Sequence, residues 1–321
     1  MNIKSILRNI RFLALLIGNM MMAGCSNSDK PAYLEPHLIT TEATHITRTE
    51  ATLNGLATIE GETEMPKLLF RYGTSESMNL NTSEVHAQGA DVSLVLTGLK
   101  AGTTYYYMLQ GNNGRITTTS NMMSFTTLPN MSPKLTSATL LSHGPMSAFV
   151  SYEITDDGGE PMTETGCYVY QTGEPENKQK YILENFDGKE GKIKLRIGNL
   201  ERNAHYEFQP FARNTVGETI GTAIKYDTSD AITLNETGEL TQLMGNHLYD
   251  YTQLTIAGTL NGEDLSCLRL MMGRDNNNAS TPGKLSDIVL TDVHLAAGGM
   301  VGPYHHEAAE NQIVQGTFAG C

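Results

Sequence analysis

The chain has 321 residues, with 22 basic against 35 acidic side chains and a formal net charge of −13. That balance excludes nucleic acid as a partner, because its recognition needs clustered Lys and Arg to neutralise phosphates. Hydrophobic residues at 39%, charged residues at 18% and 31 glycines exclude a disordered chain and fit an exported all-β protein of two or three domains.

The first segment carries Lys4, Arg8 and Arg11, then the apolar run Phe12-Leu13-Ala14-Leu15-Leu16-Ile17, then small residues before Cys25. This is the layout of a secretory signal. The apolar run is shorter than the roughly 20 residues a spanning helix requires. Met22-Ala23-Gly24-Cys25 resembles a bacterial lipobox. The resemblance implies diacylglycerol on the Cys25 sulfur, cleavage just before Cys25 and acylation of the new amino group, which gives a signal over 1–24 and a linker over 25–36. Two or more acyl chains hold a protein stably, where one holds it marginally. Ser26 after the cysteine is compatible with outer-membrane sorting, again by resemblance. The alternative is an uncleaved anchor with a chance cysteine.

A pattern then occurs twice. Leu99 is followed six residues later by Tyr105, then Tyr107 and Asn112-Asn113-Gly114; Leu200 is followed six residues later by Tyr206, then Phe208, Pro210, Ala212, Asn214 and Gly217. Apolar residues at every second position predict a strand with one buried face, and Asn-x-x-Gly supplies the turn. Upstream, Phe70-Arg71-Tyr72 is matched with Tyr168-Val169-Tyr170, and Ala51-Leu53-Gly55-Ala57 with Ala148-Val150-Tyr152-Ile154.

These repeats resemble the fibronectin type III fold, a seven-stranded immunoglobulin-like sandwich in which a tyrosine at the start of strand F bonds back to the chain. The resemblance implies tandem sandwiches over 37–128 and 131–228, joined through Leu128-Pro129-Asn130, with Tyr105 and Tyr206 as corner tyrosines and Leu99 and Leu200 beneath them. The chain has no Trp, so Leu53 and Phe149 are expected to fill the core in its place. No Arg-Gly-Asp occurs, and integrin recognition is not implied.

Asp156-Asp157-Gly158-Gly159-Glu160 reads as a glycine turn between two strands, with calcium the alternative, since hard cations want several carboxylate oxygens from one loop. Once Cys25 is acylated, Cys167, Cys267 and Cys321 remain, an odd number from which no disulfide framework can be read. They are expected to be small buried hydrophobes.

Beyond Ile232 the pattern changes. Leu254-Thr255-Ile256 predicts a short strand, Asn261 a helix cap with Asp264 at the third helical position, and Leu265, Leu268, Leu270, Met271 and Met272 an apolar face ended by Gly273. Leu285 to Leu295 fits the spacing L-x-x-I-x-L-x-x-V-x-L of a leucine-rich repeat. The segment 233–321 resembles the opening of a BspA-type leucine-rich-repeat domain, a cap of strand and helix before the repeats, and Phe318-Ala319-Gly320-Cys321 resembles the turn that begins a repeat. Leucine-rich repeats bury their core by stacking, so a truncated repeat array is expected, with a small complete α/β domain as the alternative. Tyr304-His305-His306-Glu307 lacks the spacing of HExxH, where Glu310 stands for the second histidine, and is read as a solvated loop rather than a zinc site.

No nucleophile elbow, phosphate-cradling loop or recognisable carboxylate pair is present, so no enzyme, cofactor or metal is expected. The resemblances imply a lipid-anchored surface protein of a Gram-negative outer membrane, with the sandwiches as a stalk and the repeats as a surface for extracellular proteins. The alternative is a glycan-binding accessory lipoprotein of a surface polysaccharide uptake system, which exposed aromatics on a sandwich would favour. Most Tyr and Phe fall instead at alternating core positions. A remnant of a larger enzyme is a third reading.

Overall fold

The computed structural model describes residues 35–60, 65–77, 81–303, 306–313 and 317–321. Cys25 and the signal lie outside these residues. The fold is mainly β, with two tandem fibronectin type III-like sandwiches.

The first sandwich is built from β1 (His37–Thr44), β2 (Ala51–Thr58), β3 (Lys67–Gly73), β4 (Asn81–Val85), β5 (Asp91–Leu96), β6 (Thr104–Asn112), β7 (Thr117–Thr119) and β8 (Met123–Thr126). One sheet runs β1-β2-β5 and the other β4-β3-β6, with β7 and β8 both pairing β6 as two pieces of the last strand. Alternation decides the core. Ala51, Leu53 and Ala57 of β2 face Tyr105, Tyr107 and Leu109 of β6, and all are buried with Phe70.

The second sandwich repeats this order through β9 (Lys134–Leu135), β10 (Thr139–Gly144), β11 (Ser147–Asp156), β12 (Met162–Gln171), β13 (Gln179–Ile182), β14 (Gly191–Ile197), β15 (His205–Asn214), β16 (Glu218–Ile220) and β17 (Ile224–Asp227). Here β9 and β10 are two pieces of the first strand, and β16 and β17 two pieces of the last. Ala148, Val150, Cys167, Val169, Leu200 and Phe208 close the core.

Two sequence readings are corrected in this sandwich. Phe149 does not replace the missing Trp between the sheets. Its neighbours Ala148 and Val150 point inward, so Phe149 points to the opposite face of β11, where it is buried by the segment that follows the sandwich. The matching of Phe70 and Tyr72 with Tyr168 and Tyr170 is also out of register by one. Tyr72 pairs with Tyr107, and in the second copy Val169 pairs with Phe208, so Tyr72 corresponds to Val169 and Phe70 to Cys167. Tyr168 and Tyr170 therefore face outward. A one-residue slip exchanges the faces of a whole strand.

The third segment has β18 (Ala231–Leu234), α1 (Leu240–Met244), β19 (Gln253–Leu260), α2 (Gly262–Met271), β20 (Asp287–Leu295), β21 (Met300–Val301) and β22 (His306–Glu307). The boundary between 228 and 233 separates segments in sequence but not in packing. β18 pairs with β10 at His143 and Thr233, and β18, β19 and β20 then run parallel, so one seven-stranded sheet runs β14-β11-β10-β18-β19-β20, with β9 on β11. α1 and α2 cover one face of the added strands. α2 starts at a reciprocal capping box, in which the Asn261 side chain accepts the Glu263 and Asp264 N–H groups and Asp264 accepts the Asn261 N–H. The Asp264 carboxylate also accepts the N–H groups of Gly238 and Leu240 at 2.7 and 3.0 Å, fixing the approach to α1.

Candidate functional site

The two tyrosines singled out by spacing occupy equivalent places. Each begins a strand that sits over a buried leucine, Leu99 or Leu200, and each hydroxyl accepts a backbone N–H five residues upstream. Tyr105 accepts from Lys100 at 2.9 Å and Tyr206 from Glu201 at 3.0 Å. The corner needs two residues at positive φ, one just before the leucine and one between it and the tyrosine. Gly98 and Gly102 supply them in the first copy, at 70° and 58°, and Asn199 and Asn203 in the second, at 57° and 51°. A threonine completes each corner. Thr127 Oγ1 accepts the Thr103 N–H and donates to the Lys100 carbonyl, while Thr228 Oγ1 accepts the Ala204 N–H and donates to the Glu201 carbonyl. These threonines went unread in the sequence, although each lies 22 residues after its tyrosine.

The remaining chemistry-bearing residues are structural in their contacts. Burial pushes the Cys167 thiol up to about 12 and the Cys267 thiol up to about 11, so both stay protonated and unreactive at neutral pH. Cys321 is exposed, which corrects its reading as a buried hydrophobe; the chain there lies at the surface, with Phe318 beside it turned to the core. Gly158 and Gly159 form the turn after β11 at φ near 80°. Asp156, Asp157 and Glu190 bring carboxylate oxygens together there. Arg48 of the first sandwich claims Asp156 at 3.0 Å, and Glu190 accepts the Asp157 N–H at 2.7 Å. The Arg48 guanidinium holds the Asp156 carboxyl down at about 2. His306 and Glu307 form β22 against β21, which corrects the reading of that passage as a loop. His305 lies outside the described residues.

The parallel strands give an open edge. β20 pairs with β19 through seven residue pairs, and among the described residues no strand pairs with its other edge. The Asn311 N–H reaches it, at the Leu295 carbonyl. Ile288, Val293 and Leu295 pack partly against the core, but Leu290, on the same face as the fully buried Ile256, is 46% exposed, and Val289 on the other face is 54% exposed. An inward-facing leucine left open marks a sheet that stops before its apolar face is covered.

A second open feature lies on the second sandwich, where the 172–178 connection and the 198–203 turn enclose a polar cleft. No helix among the described residues is long and apolar enough to cross a membrane.

No protein-family model matches the chain, and no curated protein matches it. Among solved structures, a two-domain fibronectin type III segment of chicken tenascin aligns at 18% identity over 58% of this chain and 97% of that one, with a TM-score of 0.30. The FN1–FN3 domains of chicken CNTN1 align at 13% identity over 60% and 68%, with a TM-score of 0.25. The sensor domain of the anti-sigma factor RsgI4 of Pseudobacteroides cellulosolvens aligns at 24% identity over 32% and 99%, with a TM-score of 0.24. At such scores the sandwich assignment stands on this chain's own strand order and on its two corner tyrosines.

Proposed function

We propose that this chain is a non-catalytic binding protein of the bacterial cell surface, fastened to the outer membrane through a lipid on Cys25. The two sandwiches act as a stalk, and the parallel sheet β18-β19-β20 presents a surface for an extracellular protein. The observation that carries the binding role is the open edge of β20 with Val289 and Leu290 exposed beside it. Exposed strand edges are liabilities that soluble proteins blunt with charge, proline or cover, and an extended partner gains main-chain hydrogen bonds by adding to one. The basic start, the short apolar run and Met22-Ala23-Gly24-Cys25 support the anchor.

Bacteria displaying the full chain are expected to take up labelled palmitate on it, to lose the label with Cys25→Ser, and to adhere to immobilised collagen, laminin or fibrinogen. Leu290→Lys with Val289→Lys should reduce adhesion by about tenfold while leaving display unchanged, the loss of about 1.4 kcal/mol. Adhesion indifferent to both substitutions would remove the edge from the binding role, and undiminished label in Cys25→Ser would remove the anchor.

A second reading, a glycan-binding accessory lipoprotein of a polysaccharide uptake system, draws support from Tyr168 and Tyr170, which face outward on the second sandwich.

A further inference from the structure

The two sandwiches share a backbone plan but differ at one end of the second. On the outer side of strand β3, the positions that correspond to Tyr168 and Tyr170 are Arg71 and Gly73. In β12 they are aromatic. Tyr168 lies on Phe211 with ring centroids 4.7 Å apart, and the Lys178 ammonium covers it at 4.5 Å. Tyr170 instead borders a cleft of about 180 Å³, between the connection that leaves β12 and the turn that leads into β15.

The cleft is built and held before any ligand arrives. Its rim is the single turn Pro175–Asn177, tied by the Glu174 N–H to the Gln171 carbonyl at 2.9 Å and by the Asn177 side-chain amide to the Glu174 carboxylate at 3.0 Å. The Tyr170 hydroxyl donates to Glu207 at 3.0 Å, and the Gln171 amide donates to Glu201 at 3.0 Å. Asn199 stands in the positive-φ slot that glycine fills at Gly98, and it lines the cleft together with Gln179. Groups fixed in this way lose little freedom on binding.

The lining selects a ligand chemistry. Glu174 and Glu201 oppose an anion, and each carboxylate already accepts one amide N–H while keeping acceptor sites for a ligand hydroxyl. Amide groups offer donor and acceptor side by side, the pairing that a hydroxyl needs. A tyrosine wall suits the apolar face of a sugar ring. The volume falls below the roughly 300–1,000 Å³ of pockets for drug-sized ligands, so a single ring fits. Arg202, next in sequence to Glu201, lines a second polar cleft of about 300 Å³, where its guanidinium lies 5.4 Å from the Tyr251 ring and pairs with Asp230 at 2.6 Å.

We propose that the cleft beside Tyr170 is a binding site for one residue of a neutral glycan, with Asn177, Gln179 and Asn199 as hydroxyl partners and the Arg202 cleft receiving the next residues of the chain. This gives the glycan reading a site of its own, and its failure leaves the β20 edge untouched.

Saturation-transfer NMR and calorimetry on the purified full chain test it. The probes are the methyl glycosides of glucose, galactose, mannose, xylose and N-acetylglucosamine and their neutral tri- to hexasaccharides, with a sulfated disaccharide and a lysine amide as competitors. At least one neutral sugar is expected to bind at millimolar affinity, and its oligomer several-fold more tightly. Asn177→Ala and Asn199→Gly, the latter keeping the turn, should each weaken binding about fivefold, the loss of one hydrogen bond, at an unchanged unfolding midpoint. Arg202→Ala should weaken the oligomer alone. The proposal is overturned if no neutral sugar binds, if binding survives both asparagine substitutions, or if the sulfated sugar or the amine binds in preference.

Discussion

At the residue scale, the hydroxyls of Tyr105 and Tyr206 mark what spacing reveals. Leu-x5-Tyr is legible because the corner needs a buried leucine, a turn of fixed length and a ring that reaches back over it. The partner threonines are not legible, since threonine is common in any β-rich chain and only the fold brings Thr127 and Thr228 to the corner. For Tyr206, removing the hydroxyl and removing the ring are separable. Tyr206→Phe should cost about 0.5–1.5 kcal/mol, the net worth of one hydrogen bond, because it leaves the Glu201 N–H without its acceptor but keeps the packing. Tyr206→Ala should cost about 3 kcal/mol or more, since it also opens a cavity against Phe208 and Leu200. Chemical denaturation of the full chain measures both. Equal and negligible losses would place the ring outside the load of the corner.

At the element scale, the helix α2 is readable at its start and along its apolar face, where Leu265, Leu268 and Met271 are buried, but not at Arg269. Asn261 and Asp264 announce the cap, because a polar acceptor must meet the free N–H groups of a first turn. Arg269, in the last turn, looks like a solvent-facing residue by periodicity, yet it is fully buried. Its guanidinium donates to the carbonyls of Thr317 at 2.7 Å, Ala319 at 3.1 Å and Asp275 at 3.0 Å. Arg274 adds a bond to the Gly320 carbonyl at 3.0 Å. The segment 317–320 is thus fastened to the C-terminal end of α2, where a cation is also favoured by the helix dipole. The segment 317–320 therefore has a specific tie, and nothing in local composition encodes it. Arg269→Met should cost about 3 kcal/mol or more, because several buried carbonyls lose their donor at once, and Arg269→Lys should recover little without the planar fork. Hydrogen exchange at residues 317–320, read with denaturation, separates this from a general loss. Unchanged protection there in Arg269→Met would show that Phe318 and Arg274 hold the segment without Arg269.

At the scale of the whole molecule, the strand pattern gave two sandwiches but hid how unlike their two junctions are. The first sandwich meets the second through the 127–133 connection, the Arg48–Asp156 ion pair and the backbone bond from Met131 to Gly158. The second meets the third segment through a shared sheet and a shared core. Phe149 joins Ile232, Leu243 and Ile256, Ser142 and Lys194 both bind Glu239, and Ser147 bonds the Leu243 carbonyl. The outward positions of β11, Ser147, Phe149 and Ser151, are buried, which no stand-alone sandwich would need.

Unfolding should follow the junctions. Calorimetry of the full chain is expected to show the first sandwich melting alone, and residues 134–295 melting as one unit. Phe149→Ala should lower only the second transition, by the roughly 3–5 kcal/mol of an emptied aromatic site. Acid should loosen the first junction. The Asp156 carboxyl titrates at about 2 in the folded chain against an ordinary 3.8, so its stabilising contact is fully present above pH 3.8 and is lost as the pH falls through about 2. Protease digestion at neutral pH should then cut first in the 127–133 connection, and an acid-stable protease should cut there faster as the pH drops through that window. A first cut near Asp230, releasing residues 233–321 intact, would show that β18 adds to the second sandwich without depending on it.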